Sequence, residues 1–169
     1  VINNRRTIAN LISWRMIETV VPSRDAFEAA LRSGRKLKFY HGIDPTGPQL
    51  HLGHATNLFF LRDMQQLGHE VILLVGDFTA RIGDPTGRDK TRKPLGVKEI
   101  KRNTLTYKAQ ASKLLDFRTK HRQAKLAFNS RWLAKLTLDD FIRLGGKFTM
   151  QQLLEREMFV RRLKDNLPI

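Results

Sequence analysis

His51 and His54 flank Leu52-Gly53 and follow a turn that carries Asp44 and Thr46. Imidazoles three apart at a helix start fall on one side of its first turn, where unpaired N–H groups and the helix dipole attract an anion. Gly53 has no side chain, so a flat ring or a phosphate can approach the backbone closely. The set reads as a phosphate and nucleotide site with two imidazoles able to donate hydrogen bonds. Two other readings use the same residues. A histidine pair at this spacing ligates zinc when a third ligand is near, but no third ligand of matching spacing is evident. Two histidines can also simply cap a helix.

A second loop, Gly76 to Arg92, offers complementary chemistry. Asp77 and Asp84 are suited to an ammonium group or a ribose hydroxyl, and Arg88, Lys90 and Arg92 to a departing phosphate. For Asp77 the stronger expectation is a structural one, a carboxylate bonding its own backbone in the turn. Neither loop is a Walker A sequence or a G-x-G-x-x-G fingerprint.

The elements that must hold these loops are legible. Lys36 to Ile43 alternates as a strand, with Leu37, Phe39 and His41 on one face and Lys38, Tyr40 and Gly42 on the other. Asp44-Pro45-Thr46-Gly47-Pro48 ends it, because two prolines and a glycine enforce a turn. A helix from about Gly53 to Leu67, stopped by Gly68, leads to Val71–Val75, an apolar run expected to be a strand buried on both faces. Strand, helix and strand at this spacing make a βαβ unit of a parallel sheet, whose ligands sit at the carboxyl ends of its strands. Ahead of it lie a short one-faced helix within residues 1–20 and a second helix with Ser23 as N-cap and Gly34 as stop. Behind it, Ile100, Thr104, Tyr107, Ala111 and Leu114 or Leu115 keep helical spacing, and Lys125 to Phe128 reads as a short strand. Thr137 with Asp140, and Thr149 with Gln152, read as capping boxes. The fold class is therefore α/β with a Rossmann-like parallel sheet. Residues 1–34 are helical support, 35–95 the nucleotide-binding half, and 96–169 a mostly helical region.

The chain carries 31 Lys and Arg against 16 Asp and Glu, a formal charge of +15, which favours a polyanionic partner such as RNA. Residues 96–169 hold 17 basic and 7 acidic side chains and residues 1–95 hold 14 and 9, so the second half is the better candidate for touching nucleic acid, although a solvated basic face explains the excess equally well. The absence of cysteine excludes disulfides and thiol-ligated metals. No apolar run spans a bilayer and no signal-peptide core is present, so no membrane role and a cytoplasmic place are expected, with an organelle matrix as the alternative. A start at Val1 and an uncapped end at Leu167-Pro168-Ile169 lead us to expect a piece of a longer chain.

His51-Leu52-Gly53-His54 matches the HIGH motif of the class I aminoacyl-tRNA synthetases. With Gly42-Ile43-Asp44-Pro45-Thr46-Gly47-Pro48 before it, Gly76-Asp77-Phe78-Thr79 and Ile82-Gly83-Asp84-Pro85-Thr86-Gly87 after it, and Phe128-Asn129-Ser130-x-Trp132-Leu133 beyond, the chain resembles the tyrosyl-tRNA synthetases over nearly its whole length. Tryptophanyl-tRNA synthetases match the second loop less well.

The resemblance implies ATP-dependent activation of tyrosine to tyrosyl-adenylate, then transfer to tRNA(Tyr). ATP would be a substrate accompanied by Mg2+, with no tightly bound cofactor and no protein metal site. Carried over residue by residue, Thr46 and His51 would contact the γ-phosphate, and His54 the ribose side of the nucleotide. Gly53 would let adenine pack on the backbone, and Asp44 would border both nucleotide and substrate ammonium. Tyr40 would meet the tyrosine phenol, Asp84 the substrate ammonium, and Arg88 and Arg92 the pyrophosphate. Asn57 and His41 sit at ribose-contacting positions. The helices after residue 96 resemble the connective insertion that forms a homodimer interface, although their apolar stripes are equally compatible with ordinary core. The KMSKS-type loop, the helix completing the tyrosine pocket and the anticodon-binding domain do not occur in these residues. The alternative is thus a reduced or inactive synthetase-derived module that binds RNA or assembles with a partner. Against inactivity stand Asp44, Thr46, His51, His54 and Asp84, which a dead relative has no chemical need to keep.

Overall fold

A computed structural model describes residues 1–12, 17–82, 95–155 and 157–166. Helices α1 (Arg5–Ile12) and α2 (Arg24–Arg32) precede strand β1 (Lys38–Ile43), helix α3 (Leu52–Gln66) and strand β2 (Glu70–Val75). A 3₁₀ turn, Thr79–Arg81, is followed by α4 (Val97–Thr104), α5 (Tyr107–Ala111), strand β3 (Lys125–Phe128) and α6 (Ser130–Leu133). The chain continues through α7 (Leu138–Gly145), α8 (Met150–Leu154) and α9 (Glu157–Lys164).

The three strands form one parallel sheet in the order β1-β2-β3, with Lys38 opposite Glu70 and Ile72 opposite Lys125. The sheet therefore extends beyond the βαβ unit and takes its third strand from the segment after residue 96. The helix between β1 and β2 is bounded as its residues predict. His51 occupies the N-cap in an extended conformation, and Gly68, at φ +91°, supplies the left-handed residue after its last turn. Leu58, Leu61 and Met64 of α3 are buried, as are Val71, Leu73 and Val75 of β2. Each such side chain contributes roughly 1.5–3 kcal/mol of burial. Phe27, Phe39 and Phe60 close the core at one side, with Phe39 edge-on to both of the other rings.

Three expectations need correction. The apolar run of β2 is not buried on both faces: Ile72 and Leu74 stay partly exposed, because the described residues cover that face incompletely. The helical stripe from Ile100 to Leu115 is interrupted at Leu105-Thr106, where the backbone leaves α4 and restarts as α5. Ile100, Tyr107, Ala111 and Leu115 nevertheless reach one core. The first strand begins at Lys38, with Leu37 serving as a carbonyl acceptor for the Glu70 N–H.

The capping predictions are met. Ser23, Thr137 and Thr149 accept from the N–H groups of Ala26, Asp140 and Gln152, and the last two form reciprocal capping boxes. Helices α7 and α8 contain no buried residue, and Phe141 at their centre is 68% exposed. No helix of the described residues is long and apolar enough to cross a membrane.

Candidate active site

At the carboxyl ends of the strands a cavity of about 790 Å³ opens between the first loop and the start of α3. Seven predicted residues line it: His41, Asp44, Thr46, His51, Gly53, His54 and Asn57. Tyr40 is not among them. It is 68% exposed and, by strand alternation, stands on the opposite face of β1 from His41. Asp84, Arg88 and Arg92 lie outside the described residues.

The two histidines of the tetrad are one unit. Their rings stack at 3.8 Å with 27° between planes, and His54 Nδ1 accepts the backbone N–H of His51 at 3.2 Å. That bond leaves the His54 proton on Nε2, the nitrogen free to donate to a ligand. Burial, then the neighbouring charges of His51 and His41, hold the His54 pKa below the usual imidazole value. Neutral His54 is therefore the working form at neutral pH. A Cβ on Gly53 would lie 3.0 Å from His51 Cε1, so the missing side chain also makes room for the His51 ring. His41 is likewise shifted down by burial, and its Nε2 lies 3.5 Å from Asn57 Nδ2. Among the described residues no group of three or more His, Asp or Glu side chains gathers to hold a metal ion.

The first loop is held from outside itself. Asn103 of α4 donates to the Pro45 carbonyl at 3.0 Å, and the Tyr107 hydroxyl of α5 donates to the Gly47 carbonyl at 2.7 Å. Thr106 and Gln110 donate to the Pro48 carbonyl, and Gln110 Oε1 accepts the Leu50 N–H at 2.8 Å. A loop with two prolines cannot satisfy its carbonyls with its own N–H groups, so the helices after residue 96 do it. Burial, then the Asp44 charge, raise the Tyr107 pKa, which keeps the phenol protonated and donating.

A second network ties the three strand ends together. Thr79 donates its hydroxyl proton to Asp44 Oδ1 at 2.7 Å, and Asn129 Nδ2 donates to the same Thr79 oxygen at 3.0 Å. Asn129, only 7% exposed, also accepts the Phe78 N–H at 2.9 Å. Gly76 is required beneath this chain of bonds, because a Cβ there would fall 1.8 Å from Asp44 Oδ1 and 2.5 Å from Thr79 Oγ1. Among the described residues Asp77 does not bond its own turn as expected. It reaches across to β3's exit, accepting from the Ser130 N–H at 3.0 Å and the Ser130 hydroxyl at 2.6 Å.

Sequence reasoning gave no site role to Gly76, Thr79, Asn103, Tyr107 or Asn129. Four had a visible signal: a glycine directly after a buried strand, a tyrosine inside an apolar stripe, and a threonine and an asparagine inside quoted motifs. Their partners lie 35 to 60 residues away in sequence and had no local signal.

Comparison with known proteins fits this geometry. The family model of the class I tRNA synthetases (W and Y) matches residues 32–169. The tyrosine–tRNA ligase of Carboxydothermus hydrogenoformans is 46% identical over 158 residues, 92% of this chain and 38% of that protein. That of Geobacter sulfurreducens is 48% identical over 161 residues, 94% of this chain and 39% of that protein. Among solved structures, a C-terminally truncated mitochondrial tyrosyl-tRNA synthetase of Coccidioides posadasii superposes with a TM-score of 0.77 at 26% identity, over 96% of this chain and 46% of that one. The chain thus spans less than two fifths of the length of these curated relatives.

Proposed function

The chain belongs to the class I tRNA synthetases of the tryptophan and tyrosine branch, and from that premise we propose that it provides the ATP-binding half of a tyrosine–tRNA ligase. The observation that carries the reading is the cavity in which the stacked His51–His54 pair, Thr46, Asp44 and the amino end of α3 converge.

Tyrosine and ATP, the latter entering as its magnesium complex, are the substrates of the first step. The tyrosine carboxylate attacks the α-phosphorus in line, a carboxyl–phosphorus bond forms, and the bond to the β-phosphate oxygen breaks to release pyrophosphate. No side chain is a nucleophile, so the protein contributes position and charge complementarity. Thr46 and His51 stabilise the γ-phosphate as charge moves onto pyrophosphate, and His54 Nε2–H donates on the ribose side. Gly53 admits adenine, His41 and Asn57 border the ribose, and Asp44 faces both nucleotide and ammonium. Tyr40, on the other face of β1 and outside the cavity lining, is assigned to the substrate phenol by the family resemblance alone, as are Asp84 to its ammonium and Arg88 and Arg92 to the leaving pyrophosphate. In the second step, in the cytoplasm, a ribose hydroxyl at the end of tRNA(Tyr) attacks the tyrosyl carbonyl, an ester forms, and the carbonyl–phosphate bond breaks to release AMP. The exposed apolar side chains of α7 and α8, including Leu138, Phe141, Ile142 and Met150, support a homodimer through this region.

Tyrosine-dependent exchange of labelled pyrophosphate into ATP by the full-length protein tests the reading. His51→Ala is expected to slow exchange about 10²–10³-fold, the usual loss for one transition-state donor. No exchange with tyrosine in the unsubstituted protein would overturn it.

A further inference from the structure

The amino ends of the same strands carry a feature that the reaction does not use. Gln65, 4% exposed at the last turn of α3, donates from one amide nitrogen to the carbonyls of Asp116 and Arg122 at 2.7 and 2.6 Å. Its Oε1 accepts the Asp116 N–H at 2.9 Å. The loop 116–124 is closed further by Ala124 N–H to Asp116 O at 2.7 Å, and Asp116 Oδ1 caps it by accepting from Arg118 and Thr119 N–H. A buried amide with all three of these bonds made fixes the loop against the sheet. What the fixed loop presents outward is Arg118, Lys120 and Arg122, all exposed. None of the three is in an ion pair among the described residues.

These cations continue into a wider edge. Loop 116–124 leads directly into Lys125, which bridges Glu70 at 2.8 Å across β2 and β3. Lys38 lies opposite Glu70 in the β1–β2 register and Lys36 precedes Lys38 by two residues; the bond from Lys125, and the charges of Lys125, Lys38 and Lys36, pull the Glu70 pKa down. Six cations therefore stand against the carboxylates of Glu70 and Asp116, and both acids are already engaged by the protein.

We propose that this edge is a binding surface for the phosphate backbone of an RNA helix, separate from the cavity. Three guanidinium and ammonium groups on one ordered loop suit repeated phosphates, and prior ordering of the loop lowers the entropy lost on binding. Strands of six residues place the edge about 20 Å from the cavity, so it meets the body of an RNA and not its reacting end. The binding surface is inferred from the charge and ordering of the edge; only the placing of the RNA's reacting end at the cavity rests on the ligase reading.

The test is binding of a short fluorescein-labelled RNA duplex to the full-length protein across a salt series. Replacing Arg118, Lys120 and Arg122 together by alanine is expected to lower affinity at least tenfold and to flatten the slope of log affinity against log salt by about 2. Pyrophosphate exchange should be unchanged in that variant. Gln65→Ala keeps every charge and is expected to weaken binding while the salt slope remains. Unchanged affinity and slope in the triple variant would overturn the proposal, as would its equal loss of binding to duplex RNA and to vesicles of anionic lipid. Failure of exchange in the unsubstituted protein would strike the ligase reading alone.

Discussion

The two ends of the same three strands are built from opposite materials. At the carboxyl ends, loop carbonyls are held by neutral donors, Asn103, Tyr107 and Gln110, and Asp44 is held by the hydroxyl of Thr79. At the amino ends, a neutral buried amide holds a loop whose outward groups are cations. Neutral, directional bonds define one geometry, which the proposed reaction at phosphate needs. Exposed charges on a fixed base tolerate many shapes of partner and respond to salt, as a binding surface does. On the proposed readings one sheet supports a geometry-sensitive end and a salt-sensitive end, and substitutions should separate them.

The largest effect is expected from Gly76→Ala. Its methyl group would displace Asp44 and Thr79, whose atoms lie within 2.5 Å of the new Cβ. Both are side-chain ends that can swing aside, so the fold should persist while pyrophosphate exchange falls about 10²-fold through misplacement of Asp44. RNA affinity should not change; a parallel loss of RNA binding would show that the two ends are not separate. Next is Gln65→Ala, which takes from loop 116–124 the partner of the Arg122 carbonyl and of the Asp116 N–H, while the Asp116 carbonyl keeps the Ala124 N–H. Chemical denaturation should show a loss of about 2–3 kcal/mol, with exchange per folded molecule preserved.

A smaller change follows from Tyr107→Phe, which removes only the donor to the Gly47 carbonyl. About 1 kcal/mol of stability and a raised KM for ATP are expected, since the first loop loses one of its external ties. The smallest effect is a pH dependence confined to the amino end. Asp116 is held at about 2 by the Thr119 hydroxyl and the N–H groups of Thr119 and Arg118. A depressed carboxyl contributes stability that is fully present above its ordinary value near 3.8 and is lost as pH falls through about 2. Amide exchange in residues 117–123 should therefore rise across that window. If the first loop, 44–50, opened over the same window with equal amplitude, the ends would be coupled.

Much of this architecture is visible in the residues. Strand alternation in β1, the punctuation by Gly34 and Gly68, and the capping residues Ser23, Thr137 and Thr149 are local, so a short stretch of chain decides them. The convergence of Asp44, Thr46, His51 and His54 follows from the rule that parallel sheets gather ligands at their carboxyl ends. Asp77 shows the limit. Its short carboxylate beside a turn predicts a local bond, yet Ser130 competes successfully because parallel pairing of β2 with β3 brings it to the same edge. Gln65 shows it again, since a glutamine at the end of an amphipathic helix ordinarily faces water.

By itself, then, the sequence determined the strand order along the chain and the helix between β1 and β2, the caps, the α/β class and the residue types of the cavity at the carboxyl ends, all set by periodicity and by backbone preferences of glycine, proline and short polar side chains. Tertiary structure decided which donors satisfy the proline-rich loop and why position 76 excludes a side chain. It also decided that a basic run before β3 is an ordered surface. The physical reason is the same in each case: a buried polar group must find a partner, and only the packing of distant segments decides which partner is within reach.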